Sequence, residues 1–437
     1  MKAPRVLVVG AGPAGVSAAV ELARHGAQVT LIEQRDQAGG AIYRAHRSDG
    51  TNPVRLPEAH RRRWARLSAQ LRAAGERIEQ RFQCVYIGTD RDGCSLIDDR
   101  SAARVWGLRA DAMVMAVGTV EQVRPVPGWE LPGVCSAGGM QVQLKETGEA
   151  PQGPILIAGN GALSLALAAQ LAAAGNPPLA VLEQGQPFLA AARQPVASMG
   201  LLRSGHALRE ALTCLRDLQR AGVPYRTGWW VEAIHAREAA LLVRCRDAHG
   251  RVTEHVARHL ALHDGLQPNS VGLPSASTSG VWAVRAGDCR EVLGAQAAVI
   301  DGCEAARAVA THLGLLHAQA SVALAARLEQ GLRRARRTQA AVDALLRASP
   351  PPTAGDPVIC RCEGLRQSDL QAFAQPCTAK ELRLSGRFGM GACQGRLCQR
   401  AVSERCGGTG SDEASVPRWP LRPVSISAMA AYTPPEE

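Results

Sequence analysis

Aromatic side chains make up only 3% of this 437-residue chain, which argues against an aromatic-rich β-sandwich and for close-packed α/β layers. Long apolar runs are also missing: none reaches the roughly 18 residues needed to span a bilayer. No signal peptide is expected, because Lys2 and Arg5 lead directly into a short buried-strand pattern. The expected location is the cytoplasm, or the inner face of the cytoplasmic membrane through a complex. Closely spaced redox cysteines are absent from the first 350 positions. Cys84, Cys94, Cys135, Cys214, Cys245, Cys289 and Cys303 form neither C-x-x-C nor C-x-x-x-x-C, so dithiol–disulfide chemistry is disfavoured. Histidines are scattered and no serine or cysteine nucleophile constellation is evident. No catalytic side chain is assigned.

Ala and Gly dominate the composition, and the length suits two or three domains. The net charge of +11 raises the question of nucleic acid. Its clusters, His60 to Trp64 and Arg333 to Arg337, lie in helical patterns without interleaved aromatics. They read as solvated or partner-facing helix surface, and nucleic acid is not an expected partner. Of thirteen cysteines, six fall between Cys360 and Cys406. That asymmetry points to thiols or metal ligands rather than disulfides.

Residues Val6 to Val9 read as a buried strand, followed by "GAGPAG" and an Ala-rich helix. Gly10 permits the tight turn, Gly12 lets the backbone approach a pyrophosphate, and Gly15 lets the helix pack on the strand. The phosphates meet the positive end of that helix. The next strand, "QVTLIE", ends in Glu33, whose carboxylate suits a ribose hydroxyl pair. Just beyond, "RDQAGGAIYR" offers a second close backbone approach at Gly39 and Gly40. "DAMVMAVGTV" ends a further strand in Gly118 and Thr119, and "GVWAVRAGDC" ends another in Gly287 and Asp288. Together these select FAD over NAD.

After Pro151 the logic repeats in "GPILIAGNGALSLALAAQLAAAG" and "PLAVLEQG". Gly159 and Gly161 are present, but Ser164 holds the third glycine position, and Glu183 follows as the acid. Nothing nearby supplies a nicotinamide pocket. The expectation is a retained fold with an empty or weak site, and NAD(P)H is not an expected cofactor.

Cys360 and Cys362 form C-x-C, while Cys393 and Cys398 form C-x-x-x-x-C. Four thiolates suit either an iron–sulfur centre or zinc. Gly386, Gly389, Gly391 and Gly395 let the backbone turn tightly around a compact centre. Their N–H groups are placed to donate to cluster sulfurs. Cys377 and Cys406 are left over as non-ligands.

Residues 4 to 315 resemble the two-dinucleotide-domain flavoproteins of glutathione-reductase type. The resemblance implies that Gly10, Gly12, Gly15 and Glu33 hold the ADP half of FAD and Asp288 the ribityl chain. Val117 stands where that family has Thr. "CRCEG" and "GMGACQGRLCQ" resemble the bacterioferritin-associated-ferredoxin type of [2Fe-2S] domain, which implies Cys360, Cys362, Cys393 and Cys398 as ligands. Over nearly its full length the chain resembles α subunits of dye-linked amino-acid dehydrogenases, on "EQRDQAGGAIYR", "PGWELPGV", "LQPNS" and the terminal cysteines. These include D-hydroxyproline dehydrogenase α, opine oxidase A and hydrogen cyanide synthase B subunits. Ala41 departs from the Gln common there.

The implied architecture is two Rossmann-like three-layer domains plus a small helical [2Fe-2S] domain. Its parts are an FAD-binding domain over 1–120 and 270–315, a second dinucleotide-binding-like domain over 121–269, a helical connector over 316–350, the cluster domain over 351–410, and a loose or partner-bound tail over 411–437. The implied role is relaying electrons from an amino-acid-oxidase-like FAD-containing β subunit to a quinone or dye acceptor. Some relatives add a small ferredoxin-like γ subunit, and FMN at a subunit interface belongs to the same expectation. D-hydroxyproline or a related cyclic amino acid is the expected substrate, with opine oxidase and hydrogen cyanide synthase subunits as alternatives. A self-contained NAD(P)H:acceptor oxidoreductase and a non-catalytic scaffold complete the set.

Overall fold

A computed structural model describes residues 3–44, 56–274, 281–316, 322–349, 351–407 and 419–435. The chain opens with β1 (Arg5–Val9), α1 (Pro13–Arg24), β2 (Gln28–Glu33), α2 (Glu58–Ala73) and β3 (Ile78–Phe82). An antiparallel excursion follows in β4 (Cys84–Thr89), β5 (Ser95–Asp99) and β6 (Arg104–Leu108). Then come β7 (Ala112–Met115), β8 (Thr119–Glu121), β9 (Val134–Ser136) and α3 (Ala137–Thr147). The second dinucleotide-type unit runs through β10 (Ile155–Gly159), α4 (Ala162–Ala173) and β11 (Ala180–Glu183). Three helices, α5 (Pro187–Arg193), α6 (Pro195–Arg203) and α7 (Gly205–Arg220), lead to β12 (Tyr225–Thr227). A second antiparallel excursion, β13 (Trp229–Arg237), β14 (Ala240–Asp247) and β15 (Val252–Ala257), precedes β16 (His259–His263). The chain returns through β17 (Leu266–Pro268), β18 (Trp282–Arg285) and α8 (Ala295–His312) to the long α9 (Val322–Leu346).

Two five-stranded parallel sheets result, ordered β18-β7-β1-β2-β3 and β12-β11-β10-β16-β9. Both have the strand, helix, crossover pattern that places ligands at the carboxyl ends of the strands. A two-stranded antiparallel ribbon, β8 with β17, carries the chain between them. The aromatic-poor composition has a direct consequence where α1 meets α8. A Cβ on Gly302 would stand 2.2 Å from the Ala14 carbonyl oxygen, so the two helices approach as only small residues allow. Leu7, Leu22, Leu31 and Met113 are fully buried in the first unit, each side chain contributing about 1.5–3 kcal/mol.

The cysteine-rich end contains β19 (Val358–Cys360), β20 (Leu365–Arg366), α10 (Gln367–Gln371), α11 (Ala379–Leu384) and α12 (Gln399–Arg405). It is therefore not purely helical, because a short hairpin presents Cys360. Its own core gathers Ile359, Leu370, Leu382, Phe388 and Val402.

The expectation of a loose or partner-bound tail gives way over 419–435. The Leu421 N–H donates to the Ile87 carbonyl at 2.9 Å and the Thr433 N–H to Val105 at 2.9 Å. The short α13 (Ile426–Ala430) buries Ala428 against Val85, Ile87 and Val105. Edge backbone of β4 and β6 thus finds hydrogen-bond partners that composition could not announce. Positions 411–418 and 436–437 of that tail lie outside the described residues.

Candidate cofactor sites

Gly10 has φ of +99°, and a Cβ there would meet the Ala116 carbonyl oxygen at 2.5 Å. A Cβ on Gly15 would fall 1.8 Å from the Gly10 carbonyl oxygen, so the first turn of α1 requires glycine at both positions. The Gly39–Gly40 segment folds over this turn. Its Gly39 N–H donates to Ala11 O at 2.8 Å, and a Cβ on Gly40 would stand 2.9 Å from Gly12 Cα. Buried Glu33 closes the loop, accepting from the Ala11 N–H at 2.8 Å and the Arg35 N–H at 3.1 Å. Gly10, Gly12, Gly15, Glu33, Gly39 and Gly40 are therefore one structure.

Gly287 and Asp288 join it from the end of β18. A Cβ on Gly287 would stand 2.6 Å from Ala14 Cβ at the start of α1. Asp288 Oδ1 accepts the Leu293 and Gly294 N–H groups at 3.0 Å each, while burial raises its pKa. Gly118, with φ of +70°, lies in the link from the neighbouring strand β7 to β8, and its carbonyl accepts the Asn269 N–H at 3.0 Å. Thr119 enters the connecting ribbon opposite Pro268. The glycine cradle, which a side chain would fill, fits the close passage of a dinucleotide pyrophosphate.

Sequence reasoning missed the clamp on this segment. Lys145 of α3 is buried and donates to the Ala41, Ile42 and Gln141 oxygens. Burial, reinforced by Arg44, brings its pKa down to about 8. Arg35 and Arg44 both meet Glu146 on the same helix. Only the pairing of Gln141 with Lys145 at i,i+4 spacing hinted at this in the sequence.

The second glycine turn repeats the first in outline. The Gly161 N–H donates to Glu183 at 3.1 Å, as Ala11 does to Glu33. Burial lifts the Glu183 pKa to about 7. Here, though, buried His263 stands beside the turn, its Nδ1 2.6 Å from Glu121 Oε1 and its Nε2 3.6 Å from a Cβ on Gly161. Ser164 Oγ is buried without a hydrogen-bond partner.

The four terminal cysteines converge from separate elements. Cys360 ends β19, Cys362 follows in the turn, Cys393 lies in the glycine loop, and Cys398 caps α12. The thiols sit as two neighbouring pairs, Cys360 beside Cys398 and Cys362 beside Cys393. The Cys398 hydrogen bond draws the Cys360 pKa down, and the Gly389 N–H supports it. A Cβ on Gly391 would fall 2.3 Å from Cys362 Cβ, so this loop needs glycine to close on the thiols. Among the described residues, the one group of three ligand atoms within 4.8 Å of one another is His60, His206 and Glu210. Cys377 and Cys406 contact each other.

Arg396 is the second feature that sequence reasoning missed. Almost fully buried, it donates through Nε to Asn269 Oδ1 at 3.1 Å and through Nη1 to Cys393 O at 2.9 Å. Asn269 in turn hydrogen-bonds the Gly118 and Val117 carbonyls. Trp129 Nε1 donates to Val358 O at 2.6 Å, and Arg361 lies over the Trp129 ring. The cysteine group is thereby held at the ends of β7 and β17. The "LQPNS" and "PGWELPGV" stretches carry these contacts, but nothing in their spacing names the partner.

Two parallel dinucleotide folds joined by an antiparallel ribbon, with a glycine cradle and acid at the first, define a flavoprotein of the FAD-binding oxidoreductase class. The chain belongs to the pyridine nucleotide-disulphide oxidoreductase family, whose model matches residues 4–287. It is 29% identical to the HcnB subunit of hydrogen cyanide synthase from Pseudomonas protegens, covering 97% of this chain and 96% of that one. It is 33% identical to the opine oxidase A-type chain of Agrobacterium tumefaciens, over 91% and 84% of the two chains. The L-proline dehydrogenase structure from P. horikoshii superposes with a TM-score of 0.63 at 17% identity, covering 98% of this chain and 81% of that one. That likeness bears on fold alone. Among the described residues, no helix is long and apolar enough to cross a membrane.

Proposed function

We propose that this chain is the FAD- and [2Fe-2S]-containing electron-transfer subunit of a hetero-oligomeric complex that oxidises an amine or amino acid. The observation that carries the reading is Arg396, which ties the cysteine loop to Asn269 and, through it, to Gly118 and Val117. A flavin exchanges two electrons and an iron–sulfur centre passes them singly. This chain's part is to keep the two sites together: Arg396 binds both sides, and Trp129 anchors the approach to β19. Two thiol pairs suit a two-iron cluster better than a single tetrahedral zinc ion. Gly10, Gly12, Gly15, Glu33, Gly39, Gly40, Gly118, Thr119, Gly287 and Asp288 would line the FAD, and Cys360, Cys362, Cys393 and Cys398 would hold the cluster. The domain divisions expected from the sequence belong to the same proposal.

The near-full-length likeness to HcnB and opine oxidase A subunits favours chemistry of those kinds over the D-hydroxyproline first expected. Substrate oxidation would lie in a partner flavoprotein subunit, with a quinone or dye as acceptor. Helices α5 and α6 expose Phe188, Val196, Met199 and Leu202, apolar side chains suited to covering by such a partner. The long α9, by contrast, packs on α5, α6 and α8.

The test is mass spectrometry of the gently purified native complex, tagged on this chain. Co-purification of an amino-acid-oxidase-like flavoprotein is the expected result. Recovery of this chain alone, loaded with FAD and iron and reduced by NADH, would reject the subunit reading.

A further inference from the structure

Away from the cofactor sites, three metal-binding side chains from two helices face one another. His206 and Glu210 are one turn apart on α7 and share a helix face, while His60 reaches them from α2. His60 Nε2 shares a 2.7 Å hydrogen bond with Glu210 Oε1. His206 Nε2 stands 3.3 Å from the same oxygen, and all three donor atoms lie within 4.8 Å of one another. Despite that ionic contact, His206 Nε2 is buried without a hydrogen bond, as is Nδ1 of His60. A buried polar atom left unpaired costs about 1–3 kcal/mol, and His206 Nε2 is such an atom inside the cluster; His60 Nδ1, the ring nitrogen opposite the one that meets Glu210, is no ligand to the same ion.

We propose that His60, His206 and Glu210 form a divalent transition-metal site, of the kind Zn²⁺ occupies, that clamps α2 to α7. Two neutral imidazoles and one carboxylate match a tetrahedral zinc-type donor set with a fourth position for water. Ligand bonds of about 2.0–2.1 Å in a tetrahedron put donor atoms about 3.3 Å apart. The His206–Glu210 separation already has that value, and the His60–Glu210 contact, at 2.7 Å, would lengthen to it. Arg63 and Arg209 act electrostatically on this cluster. Their charge opposes any cation here, so the choice of ion falls to the donor set: one carboxylate and two imidazoles are too few oxygens for Ca²⁺ or Mg²⁺ and suit an ion held by directional imidazole bonds.

The clamp has a structural consequence. His60 lies edge-on to Tyr43, with centroids 6.1 Å apart, and Tyr43 stacks on Trp64 at 5.3 Å. Tyr43 follows directly on the Gly39–Gly40 segment that covers the first glycine turn. An ion here fastens that segment between the two dinucleotide folds.

Titration of chelator-treated full-length protein with Co²⁺ tests the site. Wild type is expected to take up one more equivalent than His206→Gln. That extra ion should show ligand-field absorption without the intense charge-transfer band of thiolate ligands. Glu210→Gln, which can still hydrogen-bond His60, should weaken the extra binding by at least about tenfold, the lower end of what even an outer partner contributes. Equal uptake by wild type and both folded variants overturns the proposal, as does thiolate charge transfer accounting for every bound ion. If circular dichroism shows either variant unfolded, zinc X-ray absorption on thiol-alkylated wild type decides. A nitrogen and oxygen shell with two imidazoles supports the site, and no bound zinc refutes it.

Discussion

Nε of Arg396 donates to Oδ1 of Asn269 at 3.1 Å, across 127 positions of chain. Nη1 of the same guanidinium donates to the carbonyl of Cys393. One buried side chain therefore spans the boundary between the thiol group and the flavoprotein fold. Its pKa is brought down to about 10, first by burial and then by neighbouring Arg422.

Arg396→Gln should loosen that boundary. Removing this buried donor and leaving its neutral acceptors unpaired costs about 1–3 kcal/mol. Chemical denaturation should show a lower midpoint, and limited proteolysis should release the segment beyond α9. If the cluster is present, losing a nearby positive charge lowers its potential, by on the order of 50 mV for a tenfold one-electron effect. Redox titration by electron paramagnetic resonance reads that shift. An unchanged potential and unchanged proteolysis would mean that the contact links nothing of consequence.

Gly15→Ala places a methyl group on the Gly10 carbonyl, where only 1.8 Å is available. Overpacking of this kind costs about 1–3 kcal/mol, which, if borne by the bound state, corresponds to roughly a fivefold to 150-fold loss in FAD affinity. Flavin absorbance of the purified variant, with and without added FAD, measures it. Gly314→Ala, where a Cβ would meet nothing within 4 Å, is the matched control, although its positive φ keeps a small strain.

Cys398→Ser should abolish cluster assembly, because this buried thiol is paired with Cys360. Iron and acid-labile sulfide should fall from about two of each per chain to near zero. Cys377→Ser should retain both, since its thiol contacts Cys406 instead. Iron loss in both variants alike would point to collapse of the segment rather than to ligation.

Glu183 supplies a pH signature. Burial lifts its pKa to about 7 from an ordinary value of 4.5. Between these values the native state binds more protons than the unfolded state, so stability falls as pH rises. The penalty is absent below about 4.5 and complete above about 7, reaching about 3 kcal/mol. Glu183→Gln, which keeps one oxygen for the Gly161 or Gly185 N–H, should flatten that slope. Urea denaturation of both proteins from pH 4.5 to 8 gives the comparison, and parallel slopes would count against a buried, proton-hungry Glu183.

Much of this protein is written locally. Gly10, Gly12, Gly15 and Glu33 announce the first nucleotide fold because each answers a constraint within one strand-turn-helix-strand unit. The cysteine spacing likewise singles out four thiols, which the fold draws from β19, the turn after it, the glycine loop and the start of α12. Ser164 marked the second turn as altered, but the His263 beside it comes from β16, a strand a hundred residues away in sequence.

What tertiary structure decided is everything carried by single polar side chains meeting across the fold. Arg396, Lys145 and His60 look like ordinary surface charge in a basic chain with a net charge of +11. Each is instead drawn inward by a partner on a distant element: Asn269, the carbonyls after Gly40, and Glu210. The tail at 419–435 likewise reads as loose until its backbone pairs with β4 and β6. Hydrophobic periodicity and glycine geometry are local and survive in the sequence. A hydrogen bond or a shared metal ligand needs two elements brought together, and only the folded chain supplies the second.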